Sequence, residues 1–186
     1  TDLHEHGDLS FLAHEHWNYF TSASLARLAR RTGFSEKHAE KSGFGGLVYC
    51  HWEIAELTKV AGPAATECVG FLERARAGVA ALQRYFEHHL ADGRSVGVFC
   101  PARLQNYYSM LDVTRKQVRF FDDDRNLTGR YYPPIDIVIE GRAALLANPV
   151  DDLLIFSRPF GAAIKESLRP YPELDSMRVT LISDLF

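Results

Sequence analysis

The sequence predicts an α/β protein, because short apolar runs alternate with helical stretches through its second half. Helical patterns lie around 103–111, 141–146 and 160–168, between strand-like runs at 95–100, 118–122, 135–139, 153–157 and 179–183. Short apolar strands that alternate with helices are typical of a parallel sheet covered on both faces. We therefore expect a Rossmann-like parallel sheet over residues 93–186.

A helix and a β-hairpin are predicted before that sheet. Thr21 or Ser22 is a suitable N-cap, apolar residues follow at helical spacing, and Gly33 provides the end of the helix. Two runs, 35–40 and 46–52, flank a turn that contains glycine, and the second run is rich in strand formers. The first third of the chain therefore reads as a helix followed by two strands.

One long helix is predicted over 63–90, because a single apolar stripe recurs at three- and four-residue spacing. The stripe consists of Val69, Leu72, Ala75, Val79, Leu82 and Phe86. Pro63 suits the first turn and Gly93 the end, whereas Gly70 and Gly78 weaken the helix. We therefore divide the chain into 1–53, the edge of a first domain, 54–92, a connecting helical segment, and 93–186, a Rossmann-like domain.

Composition excludes several classes of protein. The net charge of the 186 residues is −3, which favours neither nucleic acid nor an anionic membrane as a partner. The three cysteines are far apart and form no CxxC pair, so neither a zinc ribbon nor a disulfide framework is expected. Because the sequence also shows no long apolar span and no signal-peptide pattern, we expect a cytoplasmic protein.

Two His-Glu-His triplets stand out, His4-Glu5-His6 and 14–16. Histidines two residues apart share a face of an extended segment and could hold a metal, but this spacing matches no established zinc signature and we assign no metal ligands. For the first triplet a solvated loop is the favoured interpretation. For the second, a histidine beside a glutamate is suited to acid–base chemistry, and the alternative is that these side chains satisfy backbone groups at the helix start.

The second triplet also supports a family resemblance. The run 14–21, with Ser24-Leu25, Thr32-Gly33-Phe34 and Phe44-Gly45-Gly46, resembles the end of the methyltransferase domain in class I S-adenosylmethionine-dependent sugar C-methyltransferases. The runs 118–126 and 129–133 are similar to the C-terminal domain of that family. The resemblance spans nearly the whole chain, in order, and implies the C-terminal part of a protein that acts on a nucleotide-linked keto sugar.

The resemblance implies particular catalytic residues and a cofactor. His16 would be the base that removes a proton next to a ketone, with Glu15 as its partner and His14 close by. Ala13 stands where family members often have tyrosine. The family binds S-adenosylmethionine over a glycine-rich loop, and no such loop precedes His14 in this sequence. We therefore expect the donor to be bound in the parent protein by a preceding N-terminal methyltransferase domain, and not by this chain alone.

Candidate substrate-binding residues follow the predicted strands. After the strand at 95–99, relatives often carry glycines whose amides approach phosphate, whereas this chain has Cys100-Pro101-Ala102-Arg103. Proline removes an amide donor, but Arg103 could contact a phosphate directly, and the alternative is a packed strand-to-helix turn. Residues beyond the carboxyl ends of parallel strands are pocket candidates. The complete set of substrate-binding candidates is Arg103, Asp122, Asp124, Arg130, Tyr131 and Arg158.

Adjacent carboxylates at 122–124 could bind ribose hydroxyls or a divalent cation, but they equally suit a solvated turn.

Two alternative functions accompany the leading hypothesis. The first is a non-catalytic nucleotide- or partner-binding module, which the lost glycines at 100–103 and the missing donor site both favour. The second, and the lesser one, is a histidine-based metal protein built on the two histidine triplets. Whether this chain is itself an enzyme is left open by its sequence.

Overall fold

The computed structural model describes residues 6–12, 18–41, 48–57, 69–113, 118–132 and 137–186. The chain divides into two compact units, Thr1–Arg76 and Ala77–Phe186, which are described separately below. The division falls inside the long helix that the apolar stripe predicts.

The first unit contains the predicted helix and hairpin. Helix α1 spans Ser22–Arg31, and Thr21 caps it reciprocally with Ser24: the amide of Ser24 donates to Thr21 Oγ1 at 3.0 Å, and the amide of Thr21 donates to Ser24 Oγ at 2.8 Å. Gly33 follows the helix with a φ of +83°, a conformation that favours glycine. Strands β1 (Phe34–Lys41) and β2 (Val48–Ile54) pair antiparallel, so this part of the prediction is confirmed.

Helix α2 spans Phe71–Ala91 and therefore begins later than predicted. Gly70 immediately precedes it with a φ of +77°, which is incompatible with a helix interior. The predicted continuous helix is thus wrong at 69–70, and its first part, 63–68, lies outside the described residues. Beyond the division, α2 buries Leu82 and Phe86, as the stripe predicts.

The described residues of the second unit form a six-stranded sheet. Its strands are β3 (Val96–Phe99), β4 (Val118–Phe121), β5 (Tyr131–Tyr132), β6 (Ile137–Glu140), β7 (Asp152–Ile155) and β8 (Arg178–Leu181). They lie in the order β5-β6-β4-β3-β7-β8, and every pair is parallel except β5 with β6. The five-stranded parallel sheet confirms the Rossmann-like fold class.

Short helices connect these strands and cover the sheet. They are α3 (Gln105–Tyr108), α4 (Arg142–Ala147) and α5 (Gly161–Leu168), with 3-10 turns at Pro101–Leu104, Pro172–Leu174 and Ile182–Asp184. All four residues of β3 and of β7 are buried, as expected for central strands covered on both faces. None of the described helices combines the length and the apolar character needed to cross a bilayer.

Candidate functional site

The strand order creates a topological switch point between β3 and β7. From β3 the chain proceeds outwards through β4 to β6, and it then returns to β7 on the other side of β3. Phe99 pairs in register with Phe121 and with Ile155, so the segments that follow the three central strands leave the sheet at the same edge. In open α/β sheets, ligands bind at such a point, beyond the carboxyl ends of the strands. This edge is therefore the candidate site.

The segment after β3 differs from a glycine-rich phosphate loop. Cys100 adopts the left-handed conformation with a φ of 62°, which is uncommon for a residue other than glycine, and its amide donates to the carbonyl of Phe121 at 3.0 Å. Pro101 is buried and has no amide hydrogen, while Arg103 is exposed in the 3-10 turn. The loop therefore presents a guanidinium group where a glycine-rich loop would present backbone amides.

Cys100 lies close to two of the predicted binding residues. The pKa of its thiol is raised to about 12, chiefly by burial and also by the Asp122 carboxylate, while the Arg103 guanidinium acts in the opposite direction. Arg103 and Asp122 therefore both lie near enough to the first turn after β3 to act on this thiol. With so high a pKa, the Cys100 thiol stays protonated at neutral pH and is not an activated nucleophile.

The three adjacent aspartates mainly shape the turn after β4. Asp122 Oδ1 accepts from the amide of Asp124 at 2.9 Å, and Asp124 Oδ1 accepts from the amide of Asn126 at 2.8 Å. Asp123 forms an ion pair with Arg142, whose Nε lies 3.1 Å from Oδ1. Within the described ranges, no group of three or more histidine, cysteine, aspartate or glutamate residues could hold a metal ion.

Asp122 differs from its neighbours in its surroundings. Its side chain is half-buried, and burial raises the pKa of its carboxyl group, an effect that Asp124 and Asp123 increase while backbone hydrogen bonds oppose it. It follows the second parallel strand, twenty-two positions after Cys100. Rossmann folds place an acidic residue about 20 residues beyond the first turn to bind ribose hydroxyls. Asp122 therefore has the position of a hydroxyl acceptor.

Arg158 lies on the other side of the switch point. It follows β7, and its guanidinium donates a hydrogen bond to the main-chain oxygen of Phe186 and lies over the Phe186 ring, 5.0 Å from the centroid. Arg158 is thus held at the carboxyl edge by an aromatic ring and a main-chain oxygen.

Two other predicted residues lie towards the outer edge of the sheet. Tyr131 is in β5, 66% exposed, and Arg130 directly precedes it, with Nε donating to the carbonyl of Asn126 at 2.8 Å. Strands β6 and β4 separate β5 from β3, a distance of about 15 Å at the usual spacing of strands. Arg130 and Tyr131 are therefore not brought together with Arg103. The remaining predicted residue, Asp124, belongs to the turn that Asp122 begins.

The proposed catalytic triplet lies outside the described residues. His14, Glu15 and His16 fall in the gap between 12 and 18, so their assigned roles stay predictions. The residues that follow are described: Tyr19 packs edge-on against Phe11 with ring centroids 5.5 Å apart, and Thr21 caps α1.

A polar cluster at the opposite, amino edge of the sheet was not predicted. We call it the amino-edge cluster; it consists of Tyr85, His89, Arg94, Asp152 and Arg178. Asp152 is completely buried at the start of β7, with His89 Nδ1 at 3.1 Å and Arg94 Nη1 at 3.4 Å from its oxygens. The sequence signal is slight: one aspartate opens an apolar strand, and Tyr85 and His89 are four residues apart on a helix.

The fold defines the class of this protein: an α/β protein with a Rossmann-like parallel sheet and a candidate binding site at its carboxyl edge. In comparisons with known proteins, no protein-family model matches the chain and no curated protein matches it significantly.

Proposed function

We propose that the second unit binds the nucleoside diphosphate part of a nucleotide-linked sugar. The observation that supports this most strongly is the switch point between β3 and β7, which Arg103 and Arg158 border from opposite sides. A diphosphate carries at least two negative charges, and planar guanidinium groups bind phosphate oxygens through paired hydrogen bonds. Two arginines supply at this edge the donors that Pro101 and the missing glycines do not.

The chemistry of Asp122 complements the two arginines. A half-buried carboxylate is a strong acceptor for the hydroxyl groups of a ribose or sugar ring. The turn that its Oδ1 fixes by accepting from the amide of Asp124 keeps this carboxyl group at the end of β4. The proposed ligand would thus be held by its phosphates at the switch point and by a diol towards β4.

We further propose that the chain is the C-terminal part of a S-adenosylmethionine-dependent C-methyltransferase-like protein that works in the cytoplasm. Within it, His16 would remove the proton next to the ketone of the bound sugar, Glu15 would orient the ring, and His14 would lie close by. S-adenosylmethionine would supply the methyl group. The first turn after β3 does not fit that cofactor, because it contains Pro101 where a glycine-rich loop would be needed, so we propose that the cofactor is bound by a methyltransferase domain of the parent protein.

A non-catalytic binding module is the second candidate. It is favoured by the first turn itself, where the thiol of Cys100 has a pKa of about 12 and Pro101 lacks an amide donor. In that case the same edge would bind a nucleotide without any contribution from His16.

Calorimetric titration tests the binding proposal. The chain is titrated with UDP, GDP, ADP and dTDP and with their glucose conjugates. At least one should bind, and Arg103→Ala and Arg158→Ala should each weaken that binding about tenfold, the loss expected for a charged hydrogen bond. Arg130→Ala is the matched control, since that arginine lies near the outer edge. The proposal is wrong if no nucleotide binds, or if Arg130→Ala weakens binding as much as the other two variants.

Proton exchange separates the enzyme from the binding module without requiring the cofactor. A nucleotide-linked keto sugar is incubated with the chain in deuterated water, and loss of the proton signal next to the ketone is followed by NMR. We expect exchange to be faster than in buffer and to return to the buffer rate in His16→Ala. Exchange at the buffer rate in the unsubstituted chain, with nucleotide binding intact, would favour the binding module.

A further inference from the structure

The chain segment after β8 contacts elements on both sides of the switch point. Residues 182–184 form a 3-10 turn in which Asp184 Oδ2 accepts from the amide of Leu181 at 3.1 Å. The ring of Phe186 then lies 6.0 Å from that of Tyr107 in α3, measured between centroids, and beneath the Arg158 guanidinium at 5.0 Å. Because α3 follows β3 and Arg158 follows β7, the Phe186 ring lies between the two segments that border the candidate site.

A glycine in α2 provides room for this ring. An ideal Cβ built on Gly78 would lie 2.8 Å from two carbons of the Phe186 ring, closer than real Cβ contacts. Glycine lowers the stability of a helix interior, so its presence at position 78 requires a local reason. The contact with Phe186 is such a reason, and it fixes the 182–186 segment against the helix that leads into β3.

We propose that the 182–186 segment is a strap that competes with the ligand for Arg158; this inference rests on the proposed nucleotide binding. The same guanidinium that would bind a phosphate donates here to the main-chain oxygen of Phe186. A diphosphate carries at least two negative charges and accepts paired hydrogen bonds from a guanidinium group, whereas Phe186 accepts here through a main-chain oxygen. A bound diphosphate would therefore displace this oxygen from Arg158, and the aromatic contacts of the ring would oppose this displacement.

Two variants release the strap by different means, and neither alters a proposed binding residue. Phe186→Ala removes the ring, and Gly78→Ala fills the space that the ring occupies while favouring the helix, so loss of folding is not expected. Ser183→Ala is the control, because Ser183 is an exposed residue of the same segment. The probes are UDP, GDP, ADP and dTDP, measured by calorimetry, and amide hydrogen exchange of residues 182–185 reports the strap directly.

We expect both releasing variants to bind the same nucleotide as the unsubstituted chain, about tenfold more tightly, because a competing state lowers apparent affinity by the fraction of competent molecules. Exchange at 182–185 should accelerate in both variants, and in the unsubstituted chain when that nucleotide is added. Ser183→Ala should change neither quantity.

The remaining outcomes distinguish this inference from the proposed function. Nucleotide binding that is equally tight in all variants, or weaker in Phe186→Ala, would overturn the strap and leave the binding proposal intact. Unchanged exchange at 182–185 when a nucleotide binds would also overturn the strap. Absence of binding in every variant, including those with the strap released, would overturn both proposals.

Discussion

The buried carboxylate of Asp152 lies 3.1 Å from Nδ1 of His89, and the same nitrogen lies 3.0 Å from Nη2 of Arg94. A neutral ring with its proton on Nε2 accepts from Arg94, whereas a protonated ring donates to Asp152, so Nδ1 satisfies one partner at a time. Arg178 Nε lies 3.6 Å from the carboxylate as well. The amino-edge cluster therefore ties α2 to β7 and β8 through one fully buried charge.

Removing that charge should destabilise the second unit. Asp152→Asn keeps the shape of the side chain but leaves Arg94 without its buried counter-charge. Because breaking a buried ion pair from one side leaves the other charge uncompensated, we expect a loss of about 3 kcal/mol in the free energy of unfolding, measured with urea. Asp175→Asn, at an exposed aspartate, should change stability by less than about 0.5 kcal/mol. A loss no greater than that of the control would mean that the cluster does not hold these elements together.

The stability of the second unit should also depend on pH through His89. Burial lowers the pKa of this histidine below its ordinary value of 6.5, and Arg94 lowers it further although Asp152 opposes the change. As the pH falls below 6.5, the unfolded chain takes up a proton that the native state does not, so stability is lost until the pH reaches the lower, native pKa. The direction is therefore decreasing stability with decreasing pH.

Urea unfolding at about pH 7.5 and about pH 5.5 measures this dependence. His89→Gln removes the titrating group, so the difference in stability between the two pH values should be smaller than in the unsubstituted chain. His51→Gln, at an exposed histidine of the first unit, should leave the difference unchanged. An unaltered difference in His89→Gln would show that His89 is not the group responsible.

The parallel sheet could be predicted because each strand can be recognised from the apolar pattern of its own residues. β3 and β7 are apolar on both faces, and the helices between strands have their own periodicity. Likewise, Thr21 and Ser24 form their caps within three residues of each other. β5 was missed because two residues on an antiparallel edge are too few to show any alternation.

The amino-edge cluster was missed for a different reason. Its charged groups come together only in the folded chain. His89 and Asp152 are far apart in sequence, and no local pattern around either residue predicts their contact. The pairing of Asp123 with Arg142 is similar. At the carboxyl edge, by contrast, the positions of Arg103, Asp122 and Arg158 could be predicted, because parallel strands bring the residues that follow them to one edge. The same reasoning did not foresee that the short β5 carries Tyr131 to the outer side.

Gly97 in β3 should tolerate no side chain. An ideal Cβ there would lie 2.9 Å from side-chain carbons of Leu153 and Phe121, in the middle of the packed sheet. Gly97→Ala is therefore expected to lower the free energy of unfolding by about 1–3 kcal/mol through overpacking. In Gly161→Ala, where the nearest such contact is an ordinary 3.4 Å, stability should stay within about 0.5 kcal/mol. Equal effects of the two substitutions would contradict this account of the sheet.

Cys100 should react slowly with alkylating reagents at neutral pH. Burial raises the pKa of its thiol to about 12, so very little of the reactive thiolate is present. The pKa of Cys50 is also raised, by burial and by Glu36, but to a smaller extent. Brief treatment with iodoacetamide followed by peptide mass spectrometry should therefore label Cys50 before Cys100. Preferential labelling of Cys100 would mean that its thiol is ionised at neutral pH. Cys100 would then be a candidate nucleophile at this edge of the sheet.

Asp122 should determine how the proposed nucleotide is recognised through its ribose. Asp122→Asn keeps an oxygen for the amide of Asp124, so the turn is maintained, but the charged acceptor for a hydroxyl is lost. We expect affinity for a bound ribonucleoside diphosphate to fall about tenfold, and affinity for its 2′-deoxy analogue to change little.

The control for this substitution is Asp124→Asn, because Asp124 is an exposed member of the same turn and its Oδ1 accepts from Asn126. It should leave both affinities unchanged. Burial also raises the pKa of the Asp122 carboxyl, so the advantage of the ribose over the deoxyribose should decline as the pH falls through that raised value. Calorimetry with both nucleotides across this pH range measures the effect. If Asp122→Asn weakens both nucleotides equally, the carboxylate acts on the turn or on the whole site, and not on the ribose hydroxyl.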